Sequence, residues 1–350
     1  MNVIILYLKW GIVQMSKDFK ILSLDGGGYK GLFTIACLAE IEKCCDIKVQ
    51  EYFDLYAGTS TGSIIATGLA AGFTAEEILN LYKSIGFQIF PHRAGFISDI
   101  YKILKRLFLP VYNNKVLKEE LHKFFKGKTV KDVMKRNKYI IVPSLCLSNS
   151  QPRIFKTDYK AEYNQHNAYN LADIVLASCS APTYFPISKI KNPIDEYYEY
   201  FVDGGMFANN PSVCAITEAI GNIGVNKDDI KLISIAPPSQ EVIIKDRFIP
   251  TVRGVLRWNS DLVSMALIGT SQKDAYITKF LLNKDKYLRI IPDISINTPK
   301  EMDRCSKKII NELEREGRQY VVNHKQEIQN FFNVSNFEAM KKSREELRNG

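Results

Sequence analysis

The sequence lacks the long apolar segment that would place it in a membrane. No stretch approaches the roughly 18 consecutive apolar residues that a transmembrane helix needs, so we expect a cytoplasmic protein that is at most peripheral at a membrane. The short apolar run at residues 3–8 ends at Lys9, with no basic segment before it and no small-x-small cleavage site after it. These absences argue against a secretory signal, and residues 1–15 are expected to be an N-terminal extension without a structural role.

The sequence also has few histidines and no pair of cysteines at metal-binding spacing, which limits the catalytic and metal-binding chemistry that it can support. The seven cysteines contain no C-x-x-C pair, so we expect structural thiols in a reducing compartment and no bound metal. Serine hydrolases normally use a histidine, and this chain has only four. None of them lies in the glycine, serine or aspartate context of a catalytic loop: His92, His122, His166 and His324.

An excess of basic residues indicates a polyanionic partner. With 47 Lys and Arg against 38 Asp and Glu, the formal net charge is +9, which favours nucleic acid or an anionic membrane surface. The chain has no zinc-finger spacing, RNA-binding aromatic motif or arginine-rich stripe, and its lysines are spread along the sequence. We therefore expect a phospholipid membrane surface as partner and no nucleic acid.

Predicted strands alternate with predicted helices along most of the chain. The strand candidates are residues 20–25, 53–57, 139–142, 154–156, 199–202 and 231–235, and helix patterns fall between several of them. This alternation predicts an α/β fold with a mainly parallel central sheet and helices on both faces. Residues 16–300 are expected to form one domain, and charged helices within residues 301–350 are expected to pack on it.

A serine motif lies between the second predicted strand and a predicted helix. It reads Gly58-Thr59-Ser60-Thr61-Gly62, the G-x-S-x-G pattern of a nucleophile on a sharp strand-to-helix turn. Such a turn needs small neighbours, and it projects the serine hydroxyl near a helix N-terminus, where developing negative charge is stabilised. The alternative is a serine-rich turn that only caps the helix.

A glycine-rich loop follows the first predicted strand, with the sequence Asp25-Gly26-Gly27-Gly28-Tyr29-Lys30-Gly31. Its exposed backbone N–H groups suit it to binding an oxyanion. The same loop satisfies G-x-G-x-x-G, so a nucleotide-binding module is a competing hypothesis. The acidic residue expected about 20 positions later on the next strand is missing, since Glu40 and Glu42 fall within a predicted helix. We therefore favour the oxyanion function.

A third motif supplies a candidate base. A predicted strand ends in Phe201-Val202-Asp203-Gly204-Gly205, where two glycines follow an aspartate that could accept a proton from Ser60. The order Ser60, Asp203, His324 also matches that of the α/β-hydrolases. A Ser-His-Asp esterase or a serine acyltransferase is therefore a second hypothesis, although the surroundings of His324 are typical of a solvated helix.

These three motifs, in this order and over residues 18–240, resemble the patatin-like phospholipase family, as does the segment at residues 177–186. The resemblance implies a three-layer sandwich and a lipid acyl hydrolase of the phospholipase A type, which forms an acyl-enzyme without a metal or organic cofactor. It implies a Ser60–Asp203 catalytic dyad. The implied oxyanion hole comprises Gly26, Gly27 and Gly28, and the implied supporting residues are Lys30, Gly58, Gly62 and Gly204.

The chain departs from the family at Lys30, where many members have arginine. An ammonium group, which binds through a single nitrogen, therefore replaces a planar guanidinium group. Its compact architecture is similar to that of bacterial members, including antiphage effectors gated by a cyclic nucleotide. No residue identifies such an activator, and the sequence leaves the acyl position, the head group and the oligomeric state open.

Residues 98–109 predict a basic amphipathic helix that would act as a lid or membrane-docking element. Lys102, Lys105 and Arg106 project away from its apolar face. The candidate lipid-facing residues are Phe96 in the preceding loop and Ile100, Ile103, Leu104, Leu107 and Phe108 on the helix. The alternative is an ordinary helix that packs on the core.

Overall fold

The structure is a computed structural model that describes residues 18–89, 110–160, 165–238, 255–292 and 305–333. The expected N-terminal extension at residues 1–15 lies outside the described residues. So does the predicted membrane helix at residues 98–109, together with Phe96. None of the helices in the described part of the chain combines the length and apolar character needed to span a bilayer.

The centre of the molecule is a sheet whose strands follow the order β5-β6-β3-β2-β1-β7-β8, with β4 paired to β3. The strands are β1 (Phe19–Leu24), β2 (Leu55–Gly58), β3 (Tyr139–Cys146), β4 (Gln151–Lys156), β5 (Ser188–Lys191), β6 (Tyr198–Asp203), β7 (Ile230–Ile235) and β8 (Tyr287–Ile290). Strand β1 lies between β2 and β7 and is parallel to both.

The predicted α/β fold with a mainly parallel sheet is confirmed, and one end of the sheet is antiparallel. Strands β2 and β3 are parallel, as are β7 and β8, whereas β4 and β6 run antiparallel to β3 and β5 runs antiparallel to β6. Residues 147–150 are too few for the crossover that a parallel β3–β4 pair would need, because such connections take about a dozen residues or more.

Helices cover both faces of the sheet. They are α1 (Gly31–Cys45), α2 (Val49–Tyr52), α3 (Thr61–Ala70), α4 (Ala75–Ile89), α5 (Lys115–Phe125), α6 (Val130–Met134), α7 (Leu171–Ser178), α8 (Gly205–Ala208), α9 (Ser212–Glu218), α10 (Val255–Leu281), α11 (Lys307–Asn323) and α12 (Lys325–Phe331). Alternate residues of β1 point to opposite faces: Leu22 joins the large core with α1, α3, α4 and α7, whereas Ile21 joins a smaller core with α9.

Helix α11 packs directly on α1. Its first turn is capped by Ser306, whose hydroxyl accepts the Ile309 N–H at 3.3 Å. At Gly317 the two backbones come so close that a Cβ atom would lie 2.6 Å from the Phe33 carbonyl oxygen, and the Cys37 thiol donates to the Gly317 carbonyl at 3.2 Å. The charged side of α11 faces water, and its buried positions are continuous with the large core.

The register of β3 brings two strand ends toward each other. Ile141 pairs with β2 on one edge and with β4 on the other. Residues 144–146 of β3 pair with both β4 and β6, so β6 occupies the same edge as β2. Because β2 runs parallel and β6 antiparallel to β3, their C-terminal ends point at one another across a short gap on that edge.

Candidate active site

Ser60 occupies a strained turn between β2 and α3. Its φ of 53° and ψ of −130° lie outside the regions that side-chain-bearing residues ordinarily adopt. The Ser60 N–H donates to the Ser178 hydroxyl at 2.9 Å, and that hydroxyl donates to the Pro143 carbonyl at 2.6 Å. The turn is therefore anchored to β3 through Ser178, which lies in the segment 177–186 that resembles the family but had been given no role of its own.

The two glycines of the serine motif are explained by close backbone packing. A Cβ atom on Gly58 would lie 2.3 Å from the Gly62 carbonyl oxygen, and a Cβ atom on Gly62 would lie 2.5 Å from the Leu24 carbonyl oxygen. A side chain on Gly58 would therefore push the start of α3 away from β2, and one on Gly62 would push it away from the end of β1.

Asp203 ends β6 and lies next to Ser60 across the gap on the edge of β3. Only 3% of its surface is exposed. Burial raises its pKa to about 6, although hydrogen bonds from the Ser60 hydroxyl and from the Gly205 N–H, the latter at 2.7 Å, stabilise the carboxylate. A Cβ atom on Gly204 would lie 2.1 Å from the Pro143 carbonyl oxygen. A desolvated carboxylate bonded to a serine hydroxyl is placed to accept its proton.

The glycine loop lies on the other side of Ser60. The Gly26 N–H already donates to the Asn209 carbonyl at 3.1 Å, so this amide is engaged within the protein. A Cβ atom on Gly26 would lie 2.9 Å from the Ser60 Cβ, which accounts for glycine at that position. The Gly27 N–H makes only a long contact of 3.4 Å with the Thr61 hydroxyl. Within the described residues, the Gly28 amide donates to no other group.

A buried ion pair holds the start of this loop. Arg289 in β8 binds Asp25 through both nitrogens of its fork, each at 2.6 Å from a carboxylate oxygen. The Ser271 hydroxyl on α10 adds a third bond to Asp25 at 2.5 Å. The sequence motifs did not indicate Arg289 or Ser271; the local signal of the strand that carries Arg289 is the apolar residues Leu288, Ile290 and Ile291 on either side of it.

Ser60, Asp203 and the glycine loop meet at one end of an apolar cavity. Its walls come from α3, α4, α5, α10 and the segment after α7. The apolar residues that line it include Ile64, Tyr82, Ile85, Ile89, Leu117, Tyr184, Phe185, Val263 and Leu267. The cavity, of about 70 Å³, can therefore hold an apolar group with one end beside the serine hydroxyl.

Lys30 lies behind the glycine loop and does not line the apolar cavity. Only 5% of its surface is exposed. It lines a second cavity, of about 130 Å³, together with Asp25, Ser271, Gln272 and Arg289. Lys30 and Ser60 therefore lie on opposite sides of the loop.

The histidines within the described ranges lie outside the apolar cavity. His122 contacts Asp173 at 3.0 Å. Burial lowers the pKa of His166 to about 4, and its Nδ1 accepts from the Lys156 N–H at 3.4 Å. His324 stacks on Tyr320 with ring centroids 4.1 Å apart. This placement argues against a Ser60–Asp203–His324 triad.

The described residues contain no cluster of three or more His, Cys, Asp or Glu side chains that could hold a metal ion. The competing hypothesis of a nucleotide site in the glycine loop is also weakened, because the position of a Cβ on Gly26 is bounded by Asn209 and Ser60. A Cβ on Gly27 would meet the Pro237 ring at 2.2 Å. The loop is thus enclosed by the serine turn on one side and by Pro237 on another.

Comparison with known proteins finds a matching family and several proteins that are similar to this chain. Residues 22–213, which contain all three motifs, match the family described as patatin-like phospholipase. The "cGAMP-activated phospholipase" of Escherichia coli is 32% identical over 68% of this chain and 66% of its own length, just under two thirds. The protein of the same name from Pseudomonas aeruginosa is 27% identical over 85% of this chain and 86% of its own length. The solved structure of VipD from Legionella pneumophila covers 89% of this chain and 67% of its own, with a TM-score of 0.43 and 11% identity.

Proposed function

The chain belongs to the patatin-like phospholipase family, and we propose that it is a lipid acyl hydrolase that cleaves fatty-acyl esters of membrane phospholipids through Ser60 and Asp203. The observation that carries the proposal is that Ser60, on its strained turn, and the buried Asp203 carboxylate meet in one apolar cavity, where burial raises the pKa of Asp203 to about 6. A carboxylate in water is a weak base toward a serine hydroxyl, and desolvation makes it a stronger one.

In the proposed reaction, Asp203 takes the proton from Ser60 Oγ as that oxygen attacks the ester carbonyl. The N–H groups of Gly27 and Gly28 then stabilise the negative charge on the tetrahedral oxygen. We leave Gly26 out of this role because its amide is bonded to the Asn209 carbonyl. Asp203 returns the proton to the leaving alcohol, which leaves an acyl-Ser60, and then deprotonates the water that releases the fatty acid.

The cavity beside Ser60 supports a fatty-acyl substrate. Its lining beyond the serine is almost entirely apolar, and it includes Ile64, Ile85, Leu117 and Phe185. An acyl chain would gain about 0.8 kcal/mol for each methylene group that it buries there. Supporting roles remain proposed for Gly58, Gly62 and Gly204, which allow the close backbone packing of the site, and for Lys30 behind the glycine loop.

We also propose that cGAMP stimulates this activity, because two relatives that are similar over most of this chain carry the name cGAMP-activated phospholipase. The proposal concerns regulation, and it is independent of the roles of Ser60 and Asp203. The partner of the active protein would be a phospholipid membrane surface, where the substrate lies.

One assay tests both statements. Wild-type protein, Ser60→Ala and Ser84→Ala are incubated with phospholipid vesicles, with and without cGAMP, and released fatty acids are measured by mass spectrometry. Ser84 is an exposed serine on α4 and serves as the matched control. We expect Ser60→Ala to lose about 10³-fold or more of the hydrolysis rate, Ser84→Ala to keep it, and cGAMP to raise the rate of wild type.

A Ser60→Ala protein that is folded and still releases fatty acids would refute the proposed nucleophile. Equal rates with and without cGAMP would refute only the proposed activation. A fluorophosphonate probe, which reacts with activated serines, should label wild type at Ser60 and fail to label Ser60→Ala.

A further inference from the structure

Helix α10 has two contrasting faces, of which one belongs to the candidate active site. Val263 and Leu267 point inward and line the apolar cavity, and the Thr270 hydroxyl donates to the Gly205 carbonyl at 3.3 Å, close to Asp203. A Cβ atom on Gly205 would lie 2.4 Å from the Leu267 side chain. The inner face of α10 is therefore a wall of the site, held against the residues that follow Asp203.

The outer face of α10 carries exposed apolar side chains among the described residues. Four large side chains at helical spacing are exposed there: Leu262 at 59%, Met265 at 41%, Tyr276 at 66% and Phe280 at 70%. The rings of Tyr276 and Phe280 lie 4.7 Å apart and form one exposed aromatic patch. Single exposed apolar residues are ordinary, but an aligned row that includes two adjacent aromatic rings marks an interaction surface.

The charges on this face are suited to lipid head groups. Over the described side chains of the helix, residues 262–281, the only carboxylate is Asp274, which is 4% exposed and bonded to Lys273 at 3.0 Å. Lys273 and Lys279 are exposed beside the aromatic patch. Lysine and tyrosine side chains, with apolar stems or rings and polar ends, are suited to a membrane–water interface.

We propose that the outer face of α10, comprising Leu262, Met265, Tyr276 and Phe280 with Lys273 and Lys279, docks on a phospholipid bilayer. The proposal rests on the proposed function, because the bilayer holds the substrate of that reaction. If α10 lies in the membrane–water interface with its outer face toward the lipids, its inner residues Val263 and Leu267, which line the apolar cavity, lie directly above the bilayer. An acyl chain would then reach Ser60 along the inner face of the same helix. The residues of this surface are different from those of the membrane helix predicted at residues 98–109, which lies outside the described residues.

Vesicle co-sedimentation tests the proposal with three variants of the full chain. Tyr276→Ser/Phe280→Ser removes the aromatic patch, and Leu262→Ser/Met265→Ser removes the rest of the row. The matched control is Tyr197→Ser/Val322→Ser, which changes two side chains that are 50% and 52% exposed and lie outside α10. Vesicles of phosphatidylcholine, alone or mixed with phosphatidylglycerol, are the probe. We expect each α10 variant to partition about tenfold or more weakly than wild type and the control to bind like wild type.

Three further measurements separate the possible outcomes: the melting temperature, the rate of hydrolysis of a soluble ester and sedimentation velocity. All variants should keep the melting temperature and the rate of hydrolysis of a short water-soluble ester; a protein that cleaves no ester in any form would refute the proposed function. Wild-type vesicle binding by both α10 variants, with normal soluble-ester activity, would overturn the docking proposal and leave the proposed function standing. A wild-type dimer that both α10 variants dissociate in sedimentation velocity, without loss of vesicle binding, would identify the face as a subunit interface and also overturn the proposal.

Discussion

At the scale of single residues, the candidate site depends on an aspartate with opposing requirements. In the proposed reaction Asp203 must be ionised to accept a proton from Ser60, yet its burial favours the protonated form. Two hydrogen bonds, from Ser60 and from the Gly205 N–H, only partly compensate, so the pKa settles at about 6. The folded protein therefore loses stability at neutral pH by keeping this charge buried, as is common at functional sites.

Asp203→Asn should remove this cost together with the activity. The pKa of an aspartate side chain is ordinarily 3.8, and that of Asp203 in the folded protein is about 6. The unfolded chain therefore ionises first as the pH rises. Between these two pH values the unfolding free energy of the wild type falls by up to about 3 kcal/mol. This decrease is absent in the variant, which has no carboxyl group to ionise. In urea titrations, the unfolding free energy of Asp203→Asn minus that of the wild type should increase from pH 4 to pH 6 and then stay constant.

The same pKa sets the expected pH profile of hydrolysis. Wild-type kcat/KM should fall tenfold per pH unit below about pH 6 as Asp203 becomes protonated. Asp195→Asn, which changes an exposed aspartate, is the matched control and should keep this profile. A rate that is constant down to pH 5, or substantial hydrolysis by Asp203→Asn, would contradict the role of Asp203 as base.

At the scale of elements, the glycine loop that joins β1 to α1 is anchored by β8, a strand that lies far away in the sequence. Asp25 and Arg289 are almost fully enclosed, and their side-chain exposures are 2% and 12%. Removing one partner of a buried ion pair leaves an uncompensated charge, whereas an exposed pair contributes little. The position of the Gly27 and Gly28 amides relative to Ser60 therefore depends on this pair.

Arg289→Met should destabilise the protein by about 3–5 kcal/mol and lower kcat/KM in the molecules that remain folded. The double variant Asp25→Asn/Arg289→Met should recover part of the stability, because no charge is left unpaired. Lys115→Met breaks an exposed pair with Glu119 and is the control; it should change stability by less than about 1 kcal/mol. Equal effects of Arg289→Met and Lys115→Met in urea unfolding would show that the pair does not anchor the loop.

At the scale of the whole molecule, the C-terminal helices are part of the packing around the sheet. Helix α11 fills the outer side of α1, where Gly317 permits backbone contact with Phe33. No residue of α11 or α12 is among those that line the cavity beside Ser60. Stability and activity should therefore respond differently to changes at this helix pair.

Gly317→Val should lower the unfolding free energy by about 1–3 kcal/mol, because its Cβ would lie 2.6 Å from the Phe33 carbonyl oxygen and force α11 outward. The kcat/KM of the folded variant should stay at the wild-type value. Gly269→Ala, at a helical glycine with no atom within 4 Å of a Cβ, is the control and should raise stability by up to about 1 kcal/mol. A stability of Gly317→Val equal to that of wild type would show that the two helices do not need this close approach.

The local features of the candidate site could be predicted from the sequence. A strand that ends in a glycine, a serine and a second glycine in the first turn of the helix produce the sharp turn at Ser60, because only small neighbours fit it. The glycine loop and the end of β6 are likewise short segments with their own backbone requirements. The alternation of strands and helices was sufficient to predict the layers, because each periodicity exposes one apolar face that must be buried.

The tertiary structure decided what depends on residues far apart in the chain. Asp203 reaches Ser60 because β6 and β2 share one edge of β3, a register that no local pattern encodes. The Asn209 carbonyl occupies the Gly26 amide, and Arg289 holds Asp25 from 264 positions away. The pKa of Asp203 follows from burial, which exists only once the layers have packed. Strand pairing and desolvation are properties of the assembled sheet, and for that reason the motifs could only nominate candidate residues, while the fold determined their geometry and the acidity of Asp203.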